Sequence, residues 1–195
     1  GEDQLNCLVT GAGGFLGRYI AEQLVARGDR VRALVRRETP ALEMLGVECV
    51  RGDVRDLAET KHACRGANVV FHAAAVAGIG GPWKHYYETN VLGTKNVISG
   101  CIHGGVNRLV FTSSPSVTFA GRDQCGIDET APYPKRWLAH YPHTKALAEK
   151  MVLDASGQHH LLTCALRPHL IWGPRDQHLI PRLLDRARKG RLRQV

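Results

Sequence analysis

"TGAGGFLG", residues 10–17, follows an apolar run and opens a helical pattern. Its glycines fall at Gly11, Gly14 and Gly17, with Gly13 as an extra one. The run before it, "LNCLVT" (5–10), reads as a strand, and residues 15–27 read as a helix. Strand, glycine turn and helix in that order make the first half of a βαβ unit. The alternation continues along the chain. Further strands are expected at "RVRALVR" (30–36), "VECVRG" (47–52), "NVVFHAA" (68–74), "RLVFTSS" (108–114) and "LLTCALR" (161–167). Helices are expected near 40–45, 56–65, 84–103, 141–156 and 179–189. Several strands are continuously apolar, as strands covered on both faces are. The expected fold class is α/β, a doubly wound parallel sheet with helices on both faces. Right-handed crossovers give it the strand order 3-2-1-4-5-6. The Gly/Pro-rich stretch 115–140 is expected over the carboxyl ends of the strands, where such sheets bind ligands.

The turn itself points to a dinucleotide. Gly11 permits the tight bend. Gly14 lets the backbone approach a pyrophosphate, whose charge suits a helix N-terminus, and Gly17 lets the helix pack close to the sheet. The second strand ends in "LVRRE". A binder of NAD usually places a carboxylate there for the ribose 2′-hydroxyl. Arg36 and Arg37 suit a 2′-phosphate instead, so NADP(H) is expected over NAD(H). The competing reading leaves the arginines in solvent and gives the ribose to Glu38. In "GDVRD" (52–56), Asp53 either accepts from the adenine amino group or caps the next helix.

The remaining composition narrows the setting. The 195 residues, 44% hydrophobic and 23% charged, suffice for one domain with a sizeable core. No apolar run approaches the roughly 18–20 residues of a membrane span, and no signal-like segment leads the chain. Six scattered cysteines without a Cys-x-x-Cys suggest free thiols in a reducing cytoplasm. The net charge of +8 is concentrated in "PRLLDRARKGRLRQV" (181–195), where Arg182, Arg186, Arg188, Lys189, Arg191 and Arg193 face a single Asp185. Without interleaved aromatics this reads as a solvated helix face, and no nucleic-acid partner is expected. The ten histidines include His140, His143 and the adjacent His159–His160. No acid or cysteine stands at ligand spacing near them, so no metal site is expected.

"AHYPHTKALAEKM" (139–151) places Tyr141 one helical turn before Lys145, on a shared face. Alone, the pair is equally the polar first turn of a helix that packs through Ala146, Leu147, Met151 and Val152. It gains meaning beside "TGAGGFLG", "GDVRD", "HAAA" (72–75), "NVLGTKNV" (90–97), "FTSSPSV" (111–117) and "LRPHLIWGP" (166–174). In that order and spacing, across essentially the whole chain, the sequence resembles the extended short-chain dehydrogenase/reductase family of the epimerase/dehydratase superfamily. "DETAPYP", "TKALAEKMVL" and "IWGPRDQHLIPRLLDRARKGRL" resemble its 3β-hydroxysteroid dehydrogenase branch most, together with the 2-alkyl-3-oxoalkanoate reductases.

The resemblance implies a Rossmann-type domain over residues 1–178. Residues 179–195 would begin a substrate-binding region that is largely absent from this chain. It implies an oxidoreductase that moves a hydride between NAD(P)(H) and a secondary alcohol or ketone of a small hydrophobic substrate, as a homodimer. Tyr141 would be the general acid/base. Lys145 would hold the nicotinamide ribose and lower the phenol's pKa. Ser114 would hydrogen-bond the reacting oxygen, with Ser113 and Ser116 as rivals, and Asn90 would hold the active-site backbone. Phe15, Leu16, Val54, Ala73, Ala74 and Pro168 would join Gly11, Gly14, Gly17, Arg36 and Asp53 around the cofactor. Pro142 is expected to push Tyr141 out of helical geometry and onto the helix cap. Trp83, Tyr86 and Trp137 are candidates for the substrate mouth, whereas Tyr87 fits ordinary helix packing better. Two other readings share these motifs: a nucleotide-sugar epimerase or dehydratase, and a non-catalytic NADP(H)-binding module.

Overall fold

The computed structural model describes residues 4–191, so the first three residues and Arg193 of the basic tail lie outside the described residues. The six strands are β1 (Asn6–Thr10), β2 (Arg30–Val35), β3 (Glu48–Arg51), β4 (Val69–His72), β5 (Arg108–Thr112) and β6 (Leu162–Leu166). They form one sheet in the order β3-β2-β1-β4-β5-β6, and every neighbouring pair is parallel. This is the expected order. The helices are α1 (Phe15–Arg27), α2 (Pro40–Glu43), α3 (Leu57–Cys64), α4 (Trp83–Tyr86), α5 (Gly93–Gly104), α6 (His140–Asp154) and α7 (Leu179–Arg188). A π-helical turn, Tyr87–Leu92, joins α4 to α5.

The period-2 alternation of side chains along each strand divides the apolar residues between two layers. Cys7 and Val9 of β1 with Val31, Ala33 and Val35 of β2 pack against Ala21 and Leu24 of α1 and Leu42 of α2. On the opposite face, Leu8, Leu34, Val70, Leu109 and Phe111 pack against α3, α5 and α6 through Ala63, Cys64, Val97, Cys101, Ala148 and Val152. β6 departs from the expectation of full cover, because Leu162 and Leu166 are 58% and 55% exposed. α7 likewise buries none of its side chains.

Parallel strands bring all their carboxyl ends to one edge of the sheet. Thr10, His72 and Phe111 are register partners there. The glycine turn, the loop after β4 and the segment from Ser113 to Ala139 gather at the same edge, as expected for a ligand site in this architecture.

Candidate active site

Gly11 has a φ of +70°, and a Cβ on it would lie 2.6 Å from the Ala74 nitrogen. Only glycine offers both the left-handed backbone and the missing side chain there. Gly14 caps α1, its N–H bonding the Gly11 carbonyl at 3.0 Å. Gly17 differs from expectation in its neighbour: a Cβ there would strike the Gly11 carbonyl, so it permits close packing of α1 on its own turn. Gly11→Ala is expected to cost at least about 2 kcal/mol, from left-handed strain and the collision together. Urea unfolding of the variant measures this.

Gly11 and Gly14 line a cleft of about 540 Å³ with Arg36, Arg37, Asp53, Val54, Ala73 and Ala74. Glu38, Thr39, Val76 and Thr89 also face it. Asp53 does not cap α3. Asp56 does, accepting from the Glu59 N–H at 2.9 Å. Asp53 instead receives Arg55 side-chain bonds at 2.8 and 3.1 Å, which hold its carboxyl below the usual range. The cleft lining does not include Phe15, Leu16, Gly17, Ser114, Tyr141, Lys145 or Pro168. Phe15 and Leu16 begin α1, and Pro168 stands half-buried just beyond β6.

Asn90 joins this cleft to the second group of residues. It sits in the π-helical turn, a distortion that often marks functional positions, and is 1% exposed. Its Oδ1 accepts from the Val76 N–H at 2.8 Å, and its Nδ2 donates to the Val76 carbonyl at 2.9 Å. The same Nδ2 reaches Thr144 Oγ1 on α6 at 3.0 Å.

α6 begins at His140, with Ala139 as its extended N-cap. Tyr141 is therefore the second helical residue, not the cap that Pro142 led us to expect. In a first turn no intrahelical acceptor awaits the proline's missing N–H, so the helix accommodates Pro142 there. Burial pushes the half-buried Tyr141 phenol above its ordinary value, and the nearby Ser114 hydroxyl works the other way. Ser114 Oγ lies 2.8 Å from Ser116 Oγ. Ser113 turns its buried hydroxyl toward Glu149, without the geometry of a full hydrogen bond. Of the three serines, the structure brings Ser114 to Tyr141.

Lys145 is 3% exposed. Its ammonium donates to the Thr112 carbonyl at 2.5 Å and lies 4.2 Å from the centroid of Phe111. Burial pushes its pKa down to about 7, with Glu149 working the other way. In the protein alone the groups that set the phenol are burial, which raises it, and Ser114, which lowers it.

The chain as a whole is similar to a known group of proteins. The profile of the 3-beta hydroxysteroid dehydrogenase/isomerase family matches residues 8–194. The chain belongs to that family. It is 48% identical over 196 residues to a 2-alkyl-3-oxoalkanoate reductase of Shewanella oneidensis, covering 97% of this chain and 51% of that protein. It is 38% identical over 190 residues to the Homo sapiens sterol-4-alpha-carboxylate 3-dehydrogenase, decarboxylating, covering 97% and 50%. The solved Thermus thermophilus UDP-glucose 4-epimerase complex with NAD matches with a TM-score of 0.80 at 30% identity, covering 95% of this chain and 63% of that one. The chain spans about half the length of the curated relatives it matches.

Within this member of the 3-beta hydroxysteroid dehydrogenase/isomerase family, two polar clusters escaped the sequence reading. The first is built on His72, which is fully buried and whose pKa burial pushes down to about 3, aided by the Lys145 charge. Its Nδ1 lies 2.6 Å from Thr10 Oγ1 and its Nε2 2.9 Å from Thr94 Oγ1. The second is Glu149, one turn beyond Lys145 and 1% exposed. It takes two bonds from Arg167, at 2.6 and 3.1 Å, and one from the Tyr133 hydroxyl at 2.7 Å. The signal for both was a polar residue inside an otherwise apolar pattern, since a buried polar group must find partners.

The aromatic residues gather at the N-terminus of α6. His143 lies between Trp137, stacked at 5.0 Å, and Trp83 at 4.9 Å. Trp83 also meets Tyr87 at 5.6 Å. Tyr86, not Tyr87, is the packed residue: it is 4% exposed and its hydroxyl donates to the Gly80 carbonyl at 2.6 Å. Helical spacing puts Tyr86 on the buried face with Asn90, and Tyr87 on the outer face with Trp83. Among the described residues no group of three or more His, Cys, Asp or Glu side chains is arranged to hold a metal ion.

Proposed function

We propose that the protein is an NAD(P)(H)-dependent oxidoreductase acting on a secondary alcohol or ketone of a small hydrophobic substrate. The observation that carries this reading is the Ser114 hydroxyl beside the Tyr141 phenol, with the helix of Tyr141 tied through Thr144 and Asn90 to the glycine-lined cleft. A nicotinamide dinucleotide fits the residues present. Gly11, Ala73 and Ala74 keep the cleft floor free of side-chain bulk. α1 has neither a side-chain cap nor an acidic residue in its first turn, which leaves its N-terminus suited to a pyrophosphate at Gly14, Phe15, Leu16 and Gly17.

When bound, the nicotinamide supplies or accepts the hydride. The chain's own residues do the rest. Asp53 and Val54 hold the adenosine end; Lys145 and Pro168 hold the nicotinamide end. Ser114 holds the substrate oxygen, and Tyr141 donates its phenolic proton to that oxygen in reduction and takes one back in oxidation. Asn90 keeps the loop after β4 in register with α6. Arg36 at the cleft rim favours a 2′-phosphate, hence NADP(H) over NAD(H).

Residues 1–178 serve as the cofactor-binding unit and 179–195 as the start of a substrate-binding region, which fits an α7 that buries nothing here. A homodimer in a reducing cytoplasm completes the proposal. All six cysteines are free, and no helix among the described residues is long and apolar enough to cross a membrane. Sedimentation checks the dimer.

The deciding assay is net turnover of added cofactor with a panel of hydrophobic ketones, in the full natural polypeptide. NADPH is expected to outperform NADH in kcat/KM by about tenfold, the worth of a charge-assisted hydrogen bond, and Arg36→Ala to erase the difference. Comparable KM values for both nucleotides would refute the NADP(H) preference. Tightly retained NAD without net turnover would instead favour the epimerase reading, which the likeness to the Thermus thermophilus enzyme keeps in play. Nucleotide binding without activity on any alcohol or ketone would leave a binding module.

A further inference from the structure

We infer that His72 is a positioning residue that couples the floor of the cofactor cleft to the helix carrying Tyr141, as a neutral ring with its proton on Nε2. The inference rests on the reading of the cleft as a dinucleotide site. His72 is fully buried and touches neither the cleft nor Tyr141, so it acts only through others.

One order of protons satisfies every hydrogen bond around the ring. Thr94 Oγ1 has a single proton, and it goes to the Asn90 carbonyl at 2.7 Å. At 2.9 Å from His72 Nε2 the same oxygen can only accept, so Nε2 carries the ring proton. Nδ1 is then bare, and Thr10 Oγ1, 2.6 Å away, donates to it. That leaves a Thr10 lone pair for the Ala74 N–H at 3.2 Å. Every donor is used and every acceptor filled. With the proton on Nδ1 instead, the Thr10 hydroxyl would lose its acceptor and Nε2 would face a hydroxyl whose proton is committed elsewhere. A doubly protonated ring would be a cation with no exposed surface, facing the Lys145 ammonium across Phe111.

The two ends of this chain of bonds are the parts the reaction must align. Ala74 lies on the cleft floor against Gly11. Asn90 fastens Val76 on one side and Thr144 on the other, and Thr144 Oγ1 sits within reach of the His140 and Tyr141 carbonyls, at 2.9 and 3.0 Å, on the first turn that carries Tyr141. A rigid, fully satisfied network between them keeps the cofactor and the phenol in one frame.

Nitrogen-15 NMR of the histidine side chains in the unmodified protein tests the tautomer without any substitution. A protonated Nε2 and a bare Nδ1 are expected for His72; the reverse overturns the inference. Thr94→Val keeps the shape but removes the acceptor of Nε2. It is expected to shift the ring proton and to weaken NADPH binding about tenfold, with Thr94→Ser restoring both. Wild-type affinity in a folded Thr94→Val protein would overturn the coupling. Failure of the unmodified protein to bind either nucleotide would overturn the dinucleotide reading itself, a separate outcome.

Discussion

Tyr141→Phe is expected to lower turnover of the full natural polypeptide by about 10²–10⁴-fold while leaving NADPH affinity and the unfolding midpoint near wild type. The substitution removes one oxygen. The ring keeps its half-buried seat on the first turn of α6, and Ser114 keeps Ser116 as a hydrogen-bond partner. What is lost is the phenolic proton that the proposed mechanism delivers to an oxygen held by Ser114. Burial keeps the phenol above its ordinary pKa, so it is protonated across neutral pH and ready as a donor. Ketone reduction should therefore be flat with pH through neutrality, whereas alcohol oxidation, which needs the phenolate, should rise with pH. Steady-state kinetics in both directions, beside equilibrium nucleotide binding, separate this from a folding defect. Full activity in the phenylalanine variant would remove Tyr141 from the mechanism.

The sheet was legible because its evidence is local and repeated. Each strand is a short apolar run, each helix a periodic one, and the glycine turn fixes where the first strand hands over to the first helix. β1 to β6 fall inside the expected runs, and right-handed crossovers left one strand order. The glycines were legible for the same reason, since their spacing is their meaning. Partnerships across the chain were not. Glu149 meets Tyr133 and Arg167, 16 and 18 residues away, and nothing in periodicity says which buried carboxylate finds which guanidinium. His72 is separated from Thr10 by 62 residues and from Thr94 by 22. Pro142 shows a different limit. The steric rule for a residue before proline is a preference, and the free first turn of a long, well-packed helix overrides it.

Glu149→Ala is expected to destabilise the fold by about 3 kcal/mol, near the lower end of what breaking a buried ion pair costs. The lower end applies because the Arg167 side chain keeps 20% of its surface exposed and can be partly hydrated once its partner is gone. Three donors would be stranded or loosened at once: both arms of Arg167 and the Tyr133 hydroxyl, which ties the segment before α6 to the helix. Replacing the pair by Glu149→Leu with Arg167→Met should recover much of the loss, since the desolvation of both charges is then removed together. The pH dependence follows from the carboxyl's own shift. Burial works to raise its pKa, but the bonds from Arg167 and Tyr133, with the Ser113 hydroxyl turned toward it, outweigh burial and hold it below the ordinary range. A depressed folded-state pKa contributes stability above the unfolded value, about 4.3, and loses it as pH falls through the folded value. The gap between wild type and Glu149→Gln should therefore be constant from about pH 5.5 through neutrality and close at lower pH. Urea midpoints across that range measure it. A gap that widened on acidification would mean the carboxyl is held protonated in the fold, and the network would have to be redrawn with Tyr133 as acceptor.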